Sequence, residues 1–180
     1  MPVAEVRVLS PDDDRRAFRC GNPDLDRFFQ RYAGQNQFRH HLGTTWVAVE
    51  EGRLVGFVTV SAAHLELDDL PEVTRKGLPR HPLPVLRLAR LAVDESSRGR
   101  GLGRLLLKAV FVLAREMSVR VGCVGVVVDA KPESVSFYEA YGFEALQVTQ
   151  GALEDRPEPV PMFLPLGMIP AVAGNSDPRA

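Results

Sequence analysis

The sequence predicts an α+β fold, and three observations carry that prediction. Apolar runs typical of buried strands fill much of the first half of the chain and return near its end. Between them, apolar side chains recur at helical spacing from Leu102 to Met117. A glycine-rich stretch, Arg98–Gly103, joins that predicted helix to the apolar run Val85–Val93. The chain therefore alternates strands and helices around one glycine-rich turn.

That turn is the first candidate for a functional site. A strand, a glycine-rich turn and a helix in this order aim free backbone N–H groups and the helix dipole at one point. An anion of about pyrophosphate size binds well at such a point. Taken alone, Arg98–Gly103 also fits a loop that only reverses the chain.

Composition limits the class of protein. The 180 residues suit one domain, and the formal net charge of -1 leaves any nucleic-acid contact to a local patch. Cys20 and Cys123 lack ligand-like spacing, which predicts buried thiols and a reducing cytoplasm. We expect neither a signal peptide nor a membrane span. His40 and His41 have no spaced partner, so we predict no metal site.

The N-terminal part begins with a predicted strand, Glu5–Leu9. Asn22 is a plausible N-cap for a helix that begins at Pro23 and whose apolar face runs from Leu25 to Ala33. Two buried strands follow as a hairpin, at Thr44–Val49 and Leu54–Val60, and the second strand extends toward Glu66.

A long loop with a cationic centre, Asp68–Pro82, leads into the strand Leu83–Val93. Arg87 and Arg90 in this strand are three residues apart, which breaks the two-residue alternation and indicates a β-bulge. The long helix then follows the glycine-rich turn.

The C-terminal part predicts a strand at Gly122–Val128 and a short helix at Glu133–Tyr141 that Gly142 ends. Strands at Phe143–Val148 and Pro161–Leu166 flank an acidic loop. We expect one domain over residues 1–166 and a disordered tail over residues 167–180.

At this point the chain resembles the GNAT family of acyl-CoA N-acyltransferases. Arg98–Gly103 matches the family's (Q/R)xxGxG/A loop, and Phe137–Phe143 matches its FYxxxGF segment. Both motifs stand in the family's order of strands and helices, and the resemblance runs to Leu166. It implies a three-layer α/β fold with helices on both faces of a mixed, mostly antiparallel sheet. That sheet splays between its fourth and fifth strands.

A narrower resemblance points to the acetylating toxins of toxin–antitoxin pairs. The segments that carry it are Phe18–Asp26, Arg90–Asp94, Val128–Ala130 and Met162–Leu166. Such enzymes acetylate the amino group of aminoacyl-tRNA, so the resemblance implies a tRNA substrate, a small antitoxin partner and a homodimer. These toxins tend to be basic, and the net charge of -1 departs from that pattern.

The family resemblance also assigns the acetyl-CoA site. Its pantetheine arm lies in the splay, against main-chain groups of Leu91, Ala92 and Val93, and a backbone N–H near Leu91 meets the oxyanion. The pyrophosphate meets the turn and the start of the helix, which are Arg98, Gly99, Arg100, Gly101, Leu102, Gly103 and Arg104. The Arg98 and Arg100 guanidiniums either add positive charge there or lie in solvent.

Tyr138 is the residue to which the resemblance assigns protonation of the leaving thiolate, and Tyr141 is expected to pack. A general base is not evident, although His64 and Glu66 share a strand face and are candidates. A lysine amine must lose about 4.6 kcal/mol of proton affinity at pH 7, against about 1 to 1.4 kcal/mol for an α-amine. The missing base therefore favours an amine of low pKa.

Local charge bears on the acceptor. Cations outnumber acids from Pro71 to Arg104, and Arg87 and Arg90 beside the acceptor cleft are candidate contacts for tRNA phosphates. They are equally candidates for pairing with CoA or with the acidic loop. Two alternatives stay open: an acetyltransferase of the same fold acting on a small-molecule or protein amine, and a non-catalytic module that binds CoA or a protein.

Overall fold

The computed structural model describes residues 2–146 and 159–169, which form one mixed sheet with helices on both faces. Its strands lie in the order β1-β2-β3-β4-β5-β7-β6, and of these described strands only β4 and β5 pair in parallel. The predicted mixed, mostly antiparallel sheet is confirmed. The strand bounds are β1 Glu5–Val8, β2 Thr44–Glu50, β3 Arg53–Leu65, β4 Leu83–Val93, β5 Gly125–Ala130, β6 Glu144–Ala145 and β7 Val160–Pro165.

In the described part of the chain, four α-helices accompany the sheet: α1 Pro23–Arg27, α2 Glu72–Arg75, α3 Leu102–Arg120 and α4 Val135–Glu139. The Asn22 side chain accepts hydrogen bonds from the backbone N–H groups of Asp24 at 3.0 Å and Leu25 at 3.2 Å, which confirms the predicted cap. Beyond α1 the chain continues in two π-helical segments, Phe28–Tyr32 and Gln35–Arg39, that the sequence did not predict. Because a π-helical turn holds more residues than an α-helical turn, Tyr32 leaves the apolar face and is 47% exposed.

The two faces of the sheet are covered by different elements. On one face, α3 buries Leu106, Leu107 and Val110 against the sheet. On the other face, the N-terminal helical region packs aromatic rings on β3, and the Phe29 and Phe57 rings stack at 4.3 Å. The three-layer arrangement that the family resemblance implied is therefore confirmed.

Several predicted boundaries change. The last predicted helix begins as a 3₁₀ turn, Pro132–Ser134, before α4, and Gly142 ends it with a φ of 93° as expected. The predicted strand at 143–148 shortens to β6, and residues 147 and 148 lie outside the described part. A 3₁₀ turn, Leu166–Met168, follows β7 and precedes the buried Ile169. Residues 167–169 of the predicted tail thus belong to the folded part, and residues 170–180 lie outside the described part.

The segment between β3 and β4 contains less irregular loop than the sequence predicted. It contains a 3₁₀ turn, Leu67–Asp69, and the single-turn helix α2. Within the described part of the chain, no helix is both long enough and apolar enough to cross a bilayer.

Candidate active site

A β-bulge lies in β4 where the sequence predicted one. Thr59 of β3 faces Arg90, while the next residue, Val60, faces Leu88, so Ala89 has no partner on β3. A buried hydrogen bond of 2.8 Å between the hydroxyls of Thr45 and Thr59 lies beside this register shift. The bulge explains why Arg87 and Arg90 are separated by three residues, because an extra residue shifts the alternation of side chains.

The sheet opens next to the bulge. The parallel ladder between β4 and β5 has register pairs from Leu86–Val126 to Leu88–Val128. β4 continues to Val93 without further pairing to β5 among the described residues. The edge of β4 that faces the splay therefore offers main-chain groups to an extended ligand, as a sheet edge does in strand addition.

A narrow chamber of about 90 Å³ lies in this splay, with Tyr138 in its wall. Tyr138 is 5% exposed, and its ring meets Phe137 at 5.1 Å and Phe143 at 5.3 Å in edge-on contacts. Burial raises the pKa of the Tyr138 phenol, so the group keeps its proton at neutral pH. The other chamber residues are Leu25, Leu88, Ala89, Arg90, Leu91, Val128, Asp129, Ala130, Lys131 and Ser134.

The glycine-rich turn forms an open cradle before α3. Gly99 and Gly101 adopt left-handed backbone angles, with φ of 75° and 78°, and a Cβ at either would meet no atom of the described residues within 4 Å. Within residues 2–146 and 159–169, no side chain caps the N-terminus of α3, so its first N–H groups, including those of Leu102 and Arg104, are available to an anion. Gly103 differs, because a Cβ there would contact the Phe137 ring at 3.5 Å.

The arginine side chains of the turn bind the protein itself. Arg98 donates to the carbonyl of Cys20, and Arg100 donates to Glu50 Oε2 at 2.7 Å. The hydrogen bond from Arg100 lowers the pKa of the Glu50 carboxyl. Neither arginine points freely into the cradle, so backbone N–H groups are the turn's available anion ligands. The sequence did not predict Glu50 or Cys20 as partners, because both contacts are distant in the chain.

Asp94 secures the end of β4 just before the turn. Its carboxylate is buried and accepts from the Arg19 N–H at 3.1 Å, from Arg53 at 2.9 Å and from the Ser96 hydroxyl at 2.6 Å. Burial alone raises the pKa of this carboxyl, but the hydrogen bonds from Ser96 and Arg19 outweigh it and hold the pKa below its usual value. The Asp-Glu-Ser-Ser sequence signals a local cap, whereas the partners Arg19 and Arg53 carry no such signal.

A wider cleft of about 440 Å³ lies beside the chamber on the face that carries α1. Arg87 and Arg90 both line it. The Arg90 guanidinium carbon lies 3.8 Å from the centre of the Phe28 ring, and Arg87 Nη1 lies 3.5 Å from Asp129 Oδ2. The cleft and the chamber share Leu25, Ala89, Arg90, Asp129 and Lys131, so the two spaces adjoin each other.

The two candidate bases lie elsewhere. His64 and Glu66 are exposed at the end of β3, where His64 faces Pro84 rather than the bulge, and neither lines the chamber or the cleft. Tyr141 packs on Phe137 at 5.2 Å. Asp129 and Lys131 line both spaces and were not selected from the sequence. The sequence feature that could have identified them is a pair of polar residues directly after a predicted buried strand.

The arrangement matches that of known acetyltransferases. The family model described as the acetyltransferase (GNAT) domain matches residues 41–145. A tRNA-acetylating toxin of Mycobacterium tuberculosis is 32% identical over 139 residues, which cover 77% of this chain and 82% of the relative.

Solved structures of the toxin AtaT share the fold. One is AtaT complexed with acetyl-methionyl-tRNAfMet, with a TM-score of 0.79 and 23% identity over 92% of this chain and 96% of that one. Another is a mutant AtaT bound to the C-terminus of the antitoxin AtaR and acetyl-CoA, with a TM-score of 0.72 and 21% identity over 92% of this chain and 95% of that one. This chain belongs to the GNAT family of acetyltransferases.

Proposed function

We propose that this protein transfers the acetyl group of acetyl-CoA to the α-amine of an aminoacyl-tRNA. One observation carries the proposal: the chamber that holds the buried Tyr138 adjoins a cleft lined by Arg87, Arg90 and Lys131. The chamber suits the thioester, and the cations suit the phosphates of an RNA acceptor stem. The tRNA-acetylating relative and the AtaT complex with acetyl-methionyl-tRNA support the same acceptor.

The residues present fit acetyl-CoA. The unpaired edge of β4, at Leu91, Ala92 and Val93, suits the amides of the pantetheine arm. The pyrophosphate suits the cradle, where Gly99 and Gly101 leave open space in front of the N–H groups that begin α3. Acetyl-CoA occupies an AtaT structure of the same fold, which supports this co-substrate.

The chemistry follows from this placement. The neutral amine attacks the acetyl carbonyl, so an N–C bond forms while negative charge develops on the carbonyl oxygen. A backbone N–H near Leu91 and Ala92, next to the bulge, stabilises that oxyanion. The C–S bond then breaks, and Tyr138 protonates the departing thiolate. Its raised pKa ensures that the phenol still carries its proton at neutral pH.

The same proposal extends to the location of the protein and to its partners. We propose that the protein acts in the cytoplasm, where charged tRNA and acetyl-CoA are present together. We further propose a small antitoxin protein as its inhibitor, since the C-terminus of an antitoxin binds AtaT. A homodimer is also proposed, because a second copy lengthens the surface that can face one tRNA.

The test uses the full chain with acetyl-labelled acetyl-CoA and four acceptors: charged tRNA, uncharged tRNA, free amino acids and polyamines. We expect label on charged tRNA alone, with an initial rate that falls as salt rises. Acetylation of the small amines without labelling of charged tRNA would assign a different acceptor. Tight binding of acetyl-CoA without acetyl consumption would assign a non-catalytic module.

A further inference from the structure

We propose that Asp129 positions the acceptor amine and that Arg87 favours one orientation of its carboxylate. This inference rests on the proposed acetyl transfer and assigns the residue that receives the nucleophile. Asp129 lies near the end of β5, where the sheet splays. Among residues 2–146 and 159–169, it is the one carboxylate that lines both the chamber and the cleft.

The position of Asp129 places it on the path of the acceptor. Asp129 lines both spaces, whereas Tyr138 lines the chamber and not the cleft, so we infer that an amine entering through the cleft meets Asp129 first. The other cleft carboxylate, Asp24, lines only the cleft and accepts a hydrogen bond from Arg27 at 2.8 Å. Asp129 is therefore the acid group that an amine meets next to the thioester.

The contact with Arg87 orients Asp129 and leaves the second carboxylate oxygen available to a ligand. Arg87 Nη1 lies 3.5 Å from Oδ2, and the two side chains are 44% and 52% exposed. An ion pair this long and this exposed is weak. No described residue donates a hydrogen bond to Oδ1. One carboxylate oxygen thus faces the guanidinium, and the other is available to an ammonium or amine, which it holds by a charge-assisted hydrogen bond.

The protonation state of the acceptor amine explains why a carboxylate is useful at this position. An α-amine with a pKa of about 8 is largely protonated at pH 7 and cannot attack in that form. Asp129 takes one proton from the bound ammonium and passes it to solvent, and the nitrogen lone pair then forms the N–C bond. The C–S bond breaks, and sulfur takes the proton of Tyr138. The second nitrogen proton restores the phenol, so the enzyme returns to its starting state.

The charged and titratable side chains that line the two spaces with Asp129 come from β4, α1 and α4 and from the residue after β5. They are Arg87, Arg90, Asp24, Tyr138 and Lys131. The charge of an α-amine with a pKa of about 8 changes between about pH 6 and about pH 8.5, so a pH profile of the rate tests how the enzyme deprotonates the acceptor.

The experiment compares the full chain with Asp129→Asn and with Glu133→Gln, which removes an exposed carboxylate that lines neither space. Initial rates with charged tRNA are measured from about pH 6 to about pH 8.5, and acetyl-CoA affinity is measured by calorimetry. We expect Asp129→Asn to lower kcat/KM about 10- to 100-fold near pH 6.5, at or below the low end of the range for a group that assists proton transfer. The deficit narrows above about pH 8, where the amine is already neutral. Acetyl-CoA affinity and the Glu133→Gln rates stay unchanged.

Each outcome separates the two proposals. If the unmodified chain labels charged tRNA and Asp129→Asn loses less than about threefold, or loses the same factor at every pH, the role of Asp129 is overturned and the proposed function stands. If the unmodified chain does not label charged tRNA, both proposals are overturned. Arg87→Gln, which frees the carboxylate, is expected to raise KM for charged tRNA more than it lowers kcat. A change in kcat alone would contradict its positioning role.

Discussion

Leu88 and Val128 form the last register pair between β4 and β5, and the bulge residue Ala89 follows directly. The end of the parallel ladder and the bulge in the antiparallel ladder thus coincide at one point of β4. The splay opens the chamber beside Tyr138, and the bulge turns Arg90 into the adjoining cleft. One break in the sheet therefore builds both halves of the site.

Removing the Tyr138 hydroxyl tests the thiolate-protonating role. We expect Tyr138→Phe to lower kcat for acetyl transfer about 10²- to 10⁴-fold, the range for a lost general acid. Acetyl-CoA affinity changes little, because the phenyl ring keeps its edge-on contacts with Phe137 and Phe143. Initial rates and calorimetry measure the two quantities.

The matched control is Tyr141→Phe. Tyr141 also packs edge-on against Phe137, at 5.2 Å, but it does not line the chamber. We expect its variant to keep the parent rate within about twofold. Full turnover by Tyr138→Phe, or an equal loss in both variants, would contradict the assignment.

Gly101 tests the pyrophosphate cradle. We expect Gly101→Ala to weaken acetyl-CoA binding about 10-fold or more, because a methyl group in the open space displaces the phosphate from the backbone N–H groups. A lost hydrogen bond to a charged group is worth about 1.5–3 kcal/mol, which corresponds to a change of that size in affinity. Gly77→Ala is the control, since Gly77 also has a positive φ, of 85°, and open space around its Cα. Both variants lose similar stability, of about 1–2 kcal/mol. Equal acetyl-CoA affinity in the two variants would remove Gly101 from the binding site.

The features that the sequence predicted are local ones. The bulge follows from the spacing of Arg87 and Arg90, and the cradle follows from a glycine-rich turn before an amphipathic run. The tertiary partners could not be predicted in this way, because Glu50 and Arg100 meet only once β2 and the turn are folded together. His64 shows the same limit. The alternation of side chains predicts the face of the strand on which His64 lies, but it does not predict the distance of His64 from the bulge.

Asp94 predicts how stability depends on pH. We expect Asp94→Asn to lower the free energy of unfolding by about 2–3 kcal/mol at pH 7, because it replaces a buried, charged acceptor of the hydrogen bonds from Arg19 and Arg53 by a neutral one. The folded-state pKa of Asp94 lies below its usual 3.8, so the carboxylate's contribution is fully present above that pH and is lost as the pH falls through the folded value.

Urea denaturation followed by circular dichroism measures this difference. The gap between the parent chain and Asp94→Asn stays constant from about pH 7 to about pH 5 and closes below 3.8. Asp12→Asn, at an exposed carboxylate, is the control and is expected to change stability by less than about 0.5 kcal/mol. A gap that persists unchanged in acid would show that Asp94 acts through packing rather than through its charge.

Arg90 tests the contact with tRNA phosphates. Its guanidinium stacks on Phe28 at the mouth shared by the chamber and the cleft, so it faces any acceptor that reaches the thioester. If it neutralises one phosphate, Arg90→Gln lowers the slope of log K against log salt by about 0.7–0.9. Acetyl-CoA affinity stays unchanged if Arg90 serves the acceptor and falls if Arg90 serves CoA. Arg120→Gln, at the exposed C-terminal end of α3, removes the same charge and is expected to leave the slope unchanged. An equal change in both variants would mean that net charge, rather than a contact in the cleft, governs tRNA binding.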